Sequence, residues 1–173
     1  MAEKEDQKPD WIYLPPDTEE TSLWLCLHDG ELLSCRTSPE DGTVTLEFAV
    51  NHLREVGEDD LTFVVKLDSV TSVRAAAGFS LPEGAGWLEQ SLSWPEFEKS
   101  LSTDPLQISD AGVATGNSET TLRLGGFLDG EKFDHIYCEV FLRGSSISAS
   151  RSDGKDFGLE AFIELGRHYW KLL

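Results

Sequence analysis

The sequence predicts an α+β protein: a mostly antiparallel sheet of about six or seven strands, with a short central helix and a C-terminal helix. Three observations carry this reading. Apolar and polar residues alternate through Thr43–Val50, Thr120–Leu128 and Asp134–Leu142. An Asp-Gly dipeptide and Pro- or Gly-bearing turns separate such runs at hairpin spacing. The last stretch then changes period, with Leu159, Phe162, Leu165, Tyr169 and Leu172 recurring at helical steps.

In chain order, residues 1–10 are polar and charged and read as a disordered acidic tail, which leaves 11–173 as a single α+β domain. Trp11–Leu14 is an apolar patch stopped by Pro15-Pro16, expected as a strand or an extended arm. Trp24–His28 and Glu31–Arg36 are expected strands flanking Asp29-Gly30, because both residues tolerate the positive φ of a type I′ turn. The polar run Thr37–Gly42 makes the next turn and leads into Thr43–Val50, whose Val44, Leu46, Phe48 and Val50 face a core. Leu61–Leu67 is a further strand, expected to run on past Asp68 to Val70 and Val73.

From Ala75 to Glu119 glycine and proline recur, so regular elements there are expected to be short. Ser93-Trp94-Pro95-Glu96 has capping-box spacing with proline in the first turn, and predicts a helix of about two turns through Leu101. Strands follow at Thr120–Leu128, Asp134–Leu142 and, beyond Arg143-Gly144, Ser146–Ser150. The terminal helix is expected over Phe157–Leu172, with Asp156, Glu160 and Glu164 early and Arg167, His168 and Lys171 late, as its dipole favours. Gly166 inside it is expected to cost about 1 kcal/mol relative to alanine.

The chain carries 32 acidic and 14 basic residues, a net charge of −18. The excess is lopsided. Residues 1–60 hold 12 of those 18 charges, whereas residues 131–173 carry a single net negative charge. Such a field repels nucleic acid and anionic lipid and favours a protein partner with a basic surface. No apolar run approaches the ~18 residues of a membrane span. Three cysteines at irregular spacing, each within an apolar run, suggest free buried thiols and a cytoplasmic location.

Motifs for chemistry are sparse. Phosphate-binding glycine loops, a Gly-x-Ser-x-Gly elbow, HxxxH and CxxC are all missing, so neither a metal nor a cofactor is expected. Asp156-Phe157-Gly158 matches a kinase tripeptide without its companion motifs, and Asp153-Gly154-Lys155-Asp156 lacks most of a calcium loop. His28, Asp29 and Glu31 are the densest polar group. Across a type I′ turn His28 and Glu31 would face each other as an acid–base pair, or simply as a solvated hairpin tip. His52-x-x-Glu55 could pair on a helical turn in the same way. Glu58, Asp59 and Asp60 form an acidic loop. Trp87 and Trp94 lie in the Gly- and Pro-rich middle, either anchoring a long loop or offering aromatic contacts to a partner.

Leu27-His28-Asp29-Gly30-Glu31-Leu32-Leu33-Ser34, a turn, and then Gly42–Phe48 resemble a group of small bacterial proteins in which a His-Asp-Ala start precedes two alternating strands. Thr62–Val70 and Gly86-Trp87 are compatible with that pattern, which covers residues 23–73. Some members of the group are assigned to polymorphic-toxin immunity proteins, near the immunity family numbered fifty. Gly30 stands where the group usually has alanine, and the acidic tail and terminal helix have no counterpart in it. The resemblance implies a bacterial, non-enzymatic immunity-type inhibitor and supplies no catalytic residues. The residues themselves leave two alternatives: a small hydrolase-like enzyme using His28 with Asp29 or Glu31, or a domain that homodimerises through a sheet edge.

Overall fold

A computed structural model describes residues 21–80, 87–130 and 133–173. The tail 1–10, the Trp11–Leu14 patch, Pro82, Gly84 and Gly86 lie outside the described residues. Among the described residues ten strands make one antiparallel sheet, more than the sequence predicts, and they are accompanied by short helices. The strands are β1 (Thr21–Ser22), β2 (Glu31–Ser38), β3 (Thr43–Ala49), β4 (Thr62–Asp68) and β5 (Ser72–Ser80), then β6 (Trp87–Leu92), β7 (Leu106–Thr115), β8 (Thr120–Gly130), β9 (Phe133–Gly144) and β10 (Ser146–Arg151). The helices are α1 (Trp24–Leu27), α2 (Trp94–Leu101) and α3 (Leu159–Trp170), with a 3-10 helix over Asn51–Val56.

Neighbouring strands run in the order β10-β4-β3-β2-β7-β8-β9-β5-β6, and β1 pairs with β7 to one side. The path also bends back on itself. Only Ser69, Val70 and Thr71 separate β4 from β5, and only Ser145 separates β9 from β10. β4 pairs with β10 starting at Asp68↔Ser146, while β5 pairs with β9 starting at Ser72↔Arg143. Bonds from Ser145 N to Asp68 O (2.8 Å) and Thr71 N to Arg143 O (2.9 Å) stitch the bend. β4/β5 and β9/β10 thus act as two bent ribbons that join the β2-β3 side to the β7-β8 side. Glu31↔Gln107 and Leu32↔Leu106 between β2 and β7 complete the circuit.

The alternation in the sequence points one side of each strand into a single core. Val44, Leu46 and Phe48 of β3, Phe63, Val65 and Leu67 of β4, and Leu122 and Leu124 of β8 are all buried there. Ser93 and Glu96 cap α2 as the spacing predicts: the Ser93 N–H and hydroxyl both donate to Glu96 Oε2, at 3.0 and 2.5 Å. That helix lowers Phe97 and Leu101 into the core.

Three expectations need correction. Trp24–His28 is not a hairpin strand: Trp24–Leu27 is one turn of helix, with Leu27 N bonded to Leu23 O (3.0 Å) and His28 N to Trp24 O (2.9 Å). A four-residue apolar run fits either period, and the helical turn buries Leu23, Cys26 and Leu27 together. Asp29 does take positive φ (60°). Gly30 instead allows close approach, since a Cβ there would lie 2.9 Å from Leu27 O. Secondly, the strand at Leu61–Leu67 does not continue through Val70 and Val73; the chain turns at Ser69 (φ 48°) and starts β5. Thirdly, 75–119 contains long strands, among them the ten-residue β7. Its small residues Ala111, Gly112 and Ala114 are buried against neighbouring strands rather than breaking them.

α3 packs against α1, the 3-10 helix and β10. Phe162 packs on Phe63 with ring centroids 4.8 Å apart, and Ile163 and Gly166 complete the buried face. Leu172, expected in the apolar stripe, lies past the helix end and is exposed. At Gly166 the backbones of α3 and α1 meet: a Cβ would sit 2.6 Å from Cys26 N and closer still to Leu25 O. Helix propensity alone makes Gly166→Ala stabilising by about 1 kcal/mol. The contact reverses the sign, so we expect Gly166→Ala to destabilise by about 1–3 kcal/mol. Urea unfolding followed by circular dichroism reads the difference directly.

Candidate functional site

Among the described residues, titratable and aromatic side chains gather where α1, the 3-10 helix and the end of α3 meet. Because α1 is helical, Trp24 and His28 fall one turn apart on the same side, with ring centroids 4.5 Å apart. Trp24 stacks on Trp170 of α3 (4.9 Å, 18° between planes), and Trp170 Nε1 donates to Leu25 O at 2.8 Å. His28 meets the edge of Trp170 at 5.8 Å. From the 3-10 helix, His52 packs on Tyr169 at 4.6 Å. Sequence reasoning singles out His28 and His52 separately but does not bring them together with Trp24, Tyr169 and Trp170. The one local signal is the Trp24–His28 spacing, which shows only if the segment is taken as helix.

Within this cluster His28 Nδ1 stands 3.1 Å from Asp29 Oδ2, a contact without hydrogen-bond geometry. Asp29 itself is exposed. Glu31 is not its neighbour across a turn; it lies in β2 opposite Ala49 and Gln107. His52 is half-buried and Glu55 exposed. Burial pushes the His52 imidazole below its ordinary 6.5, and His28 pushes it further; Asp29 opposes both.

The acidic loop is partly tied to the far end of the chain. Glu58 pairs with Arg151 of β10, and both side chains are largely covered. The Arg151 guanidinium also lies 4.6 Å from the Phe157 ring centroid and 5.7 Å from that of Phe63. Asp60 accepts bonds from Thr62 N (3.0 Å) and Ser152 Oγ (2.8 Å), while Asp59 is exposed. Trp94 is an anchor: its Nε1 donates to Thr37 Oγ1 (2.8 Å) and Glu98 Oε1 (3.0 Å), and its ring leans on Phe97. Trp87 opens β6, and its side chain lies outside what the structure describes.

The three thiols are free and buried. Desolvation raises Cys26 and Cys138 to about 12 and Cys35 higher still, with Glu98 adding to the last. None is poised as a thiolate. Among the described residues no three His, Cys, Asp or Glu side chains stand together to hold a metal ion. An open groove of about 580 Å³ runs along α3, lined by Phe157, Ala161, Glu164, Leu165, His168 and Lys171. Glu164 there is engaged by Arg167 at 2.9 Å. No helix among the described residues is long and apolar enough to cross a membrane. No family model, curated protein or solved structure matches the chain.

Two measurements check this geometry. A double-mutant cycle with Glu58→Gln and Arg151→Met should give a coupling energy of about 1 kcal/mol, since the pair is shielded but not fully dry. The raised thiol values imply roughly a thousandfold less thiolate than at a pKa of 9. Native protein should therefore resist a thiol reagent at mildly alkaline pH, and all three cysteines should label promptly in denaturant.

Proposed function

We propose that this chain is a non-catalytic, acidic binding protein whose partner presents a basic surface. One observation carries the reading: among the described residues of the acid-rich first third, some carboxylates stand exposed without a cationic partner. Glu40, Glu55 and Asp59 are exposed and have no ion-pair partner among the described residues. Several cations near the C-terminus are already paired, Arg151 with Glu58, Lys155 with Asp153 and Arg167 with Glu164. A field of this kind speeds encounter with a cationic surface and sets partner choice.

The finer reading is an immunity-type inhibitor that covers a basic toxin. It is supported by the resemblance of residues 23–73 to the His-Asp-Ala group and by the charge of the same stretch. Binding needs no acid–base pair. His28 faces Trp24 and Trp170 and Glu31 sits in the ladder of β2, an arrangement suited to scaffold.

The test compares wild type with a triple charge reversal, Glu40→Lys, Glu55→Lys and Asp59→Lys, as bait in a lysate of the source cells. A basic partner should be retained by wild type, with Kd weakening about tenfold or more between about 50 and 300 mM salt. The triple variant should lose a similar factor at low salt. For the immunity reading, the retained partner is a toxin whose activity falls when the chain is added. Failure to retain a basic protein at any salt, or equal affinity in the variant, overturns the proposal.

A further inference from the structure

The joint between α1, the 3-10 helix and α3 buries His52 Nε2 with no hydrogen-bond partner among the described groups, while His28 Nδ1, which also lacks a hydrogen bond, stands 3.1 Å from the Asp29 carboxylate. A buried polar atom left unpaired costs free energy, and a buried unpaired charge costs far more. Both histidines touch the residues that hold down the last turn of α3: His52 lies on Tyr169, and His28 meets Trp170.

We propose that this joint is a pH-sensitive latch, which keeps the C-terminal turns of α3 docked at neutral pH and releases them when His52 takes up a proton. The groups around His52 set the direction. From the end of α1 come the exposed Asp29 carboxylate, which favours a charged His52, and His28, which disfavours it. From α3 comes Tyr169, whose ring is its packing partner. Arg54 and Glu55 of its own element are exposed. Burial outweighs the Asp29 carboxylate, so the docked joint prefers the neutral imidazole.

The linkage follows from that preference. A histidine held below its ordinary 6.5 binds its proton more readily in the undocked state. Docking is therefore fully favoured above that value and weakens as pH falls through and below it. Release is local because α3 has two separate attachments. Phe162 on Phe63 fixes its first half to the sheet. The second half is held by the close approach of Gly166 to Leu25 and Cys26, the Trp170 bond to Leu25 O, the Trp24 stack and the His52–Tyr169 contact.

Amide hydrogen exchange on the full chain tests this, with rates corrected for the intrinsic effect of pH. Between about pH 7.5 and pH 5.0, opening at Leu165–Trp170 should rise by about tenfold for each unit by which burial lowers His52. Amides of Leu122 and Val140 in the sheet should hold steady. His52→Gln and His52→Phe should each abolish the pH-dependent rise. Nuclear magnetic resonance titration of the wild-type imidazoles decides the matter even if both variants misfold. A His52 that titrates at or above its ordinary value overturns the proposal, as does acid-insensitive exchange at Leu165–Trp170 or an equal rise in folded variants.

Discussion

The close approach of α3 to α1 at Gly166 is the contact on which the joint depends. With no side chain there, the helix backbone comes into contact with Leu25 and Cys26. That separation brings the Trp170 indole within 2.8 Å of Leu25 O and lets it stack on Trp24. It also carries Tyr169 to His52. A glycine that looks like a defect by helix propensity is therefore a packing device. Its entropic cost is offset by the layer of contacts that it admits.

The bent ribbons play the corresponding part in the sheet. Because β4 continues into β5 and β9 into β10, the two sides of the sheet share strands instead of merely leaning on one another. The bend brings Arg151 over Phe63 and Phe157 and within reach of Glu58. One carboxylate of the acidic loop is thereby joined to the last strand. Its neighbour Asp59 stays in solvent with Glu40 and Glu55. These exposed carboxylates are thus a remainder, the charge left after the fold has used some of its other carboxylates structurally.

Long alternating runs were legible because a two-residue period over seven or more positions leaves little choice of structure. Thr43–Val50 became β3 within a residue, and Asp134–Leu142 falls inside β9. The capping box at Ser93 was equally readable, since its bonds are local. Trp24–Leu27 was not. Its apolar residues satisfy either period, and the docking of Leu25 against Gly166 is a contact between distant parts of the chain. The His28–Glu31 pairing failed with it, because cross-strand geometry needs two strands. The strands within 75–119 were hidden for a related reason: glycine and alanine weaken local β propensity while suiting close-packed sheet interiors.

The sequence by itself determined the α+β class, the main strands, the α2 cap, the terminal helix and the concentration of acid in residues 1–60. These depend on period, on neighbouring side chains and on composition, which a linear chain displays in full. Only the tertiary structure decided that the sheet bends back on itself, that α1 is a helix, and that Trp24, His28, His52, Tyr169 and Trp170 share one joint. Those outcomes depend on surfaces meeting between segments far apart in the chain, 145 residues apart for Trp170 and Leu25, and no local pattern records which faces will meet.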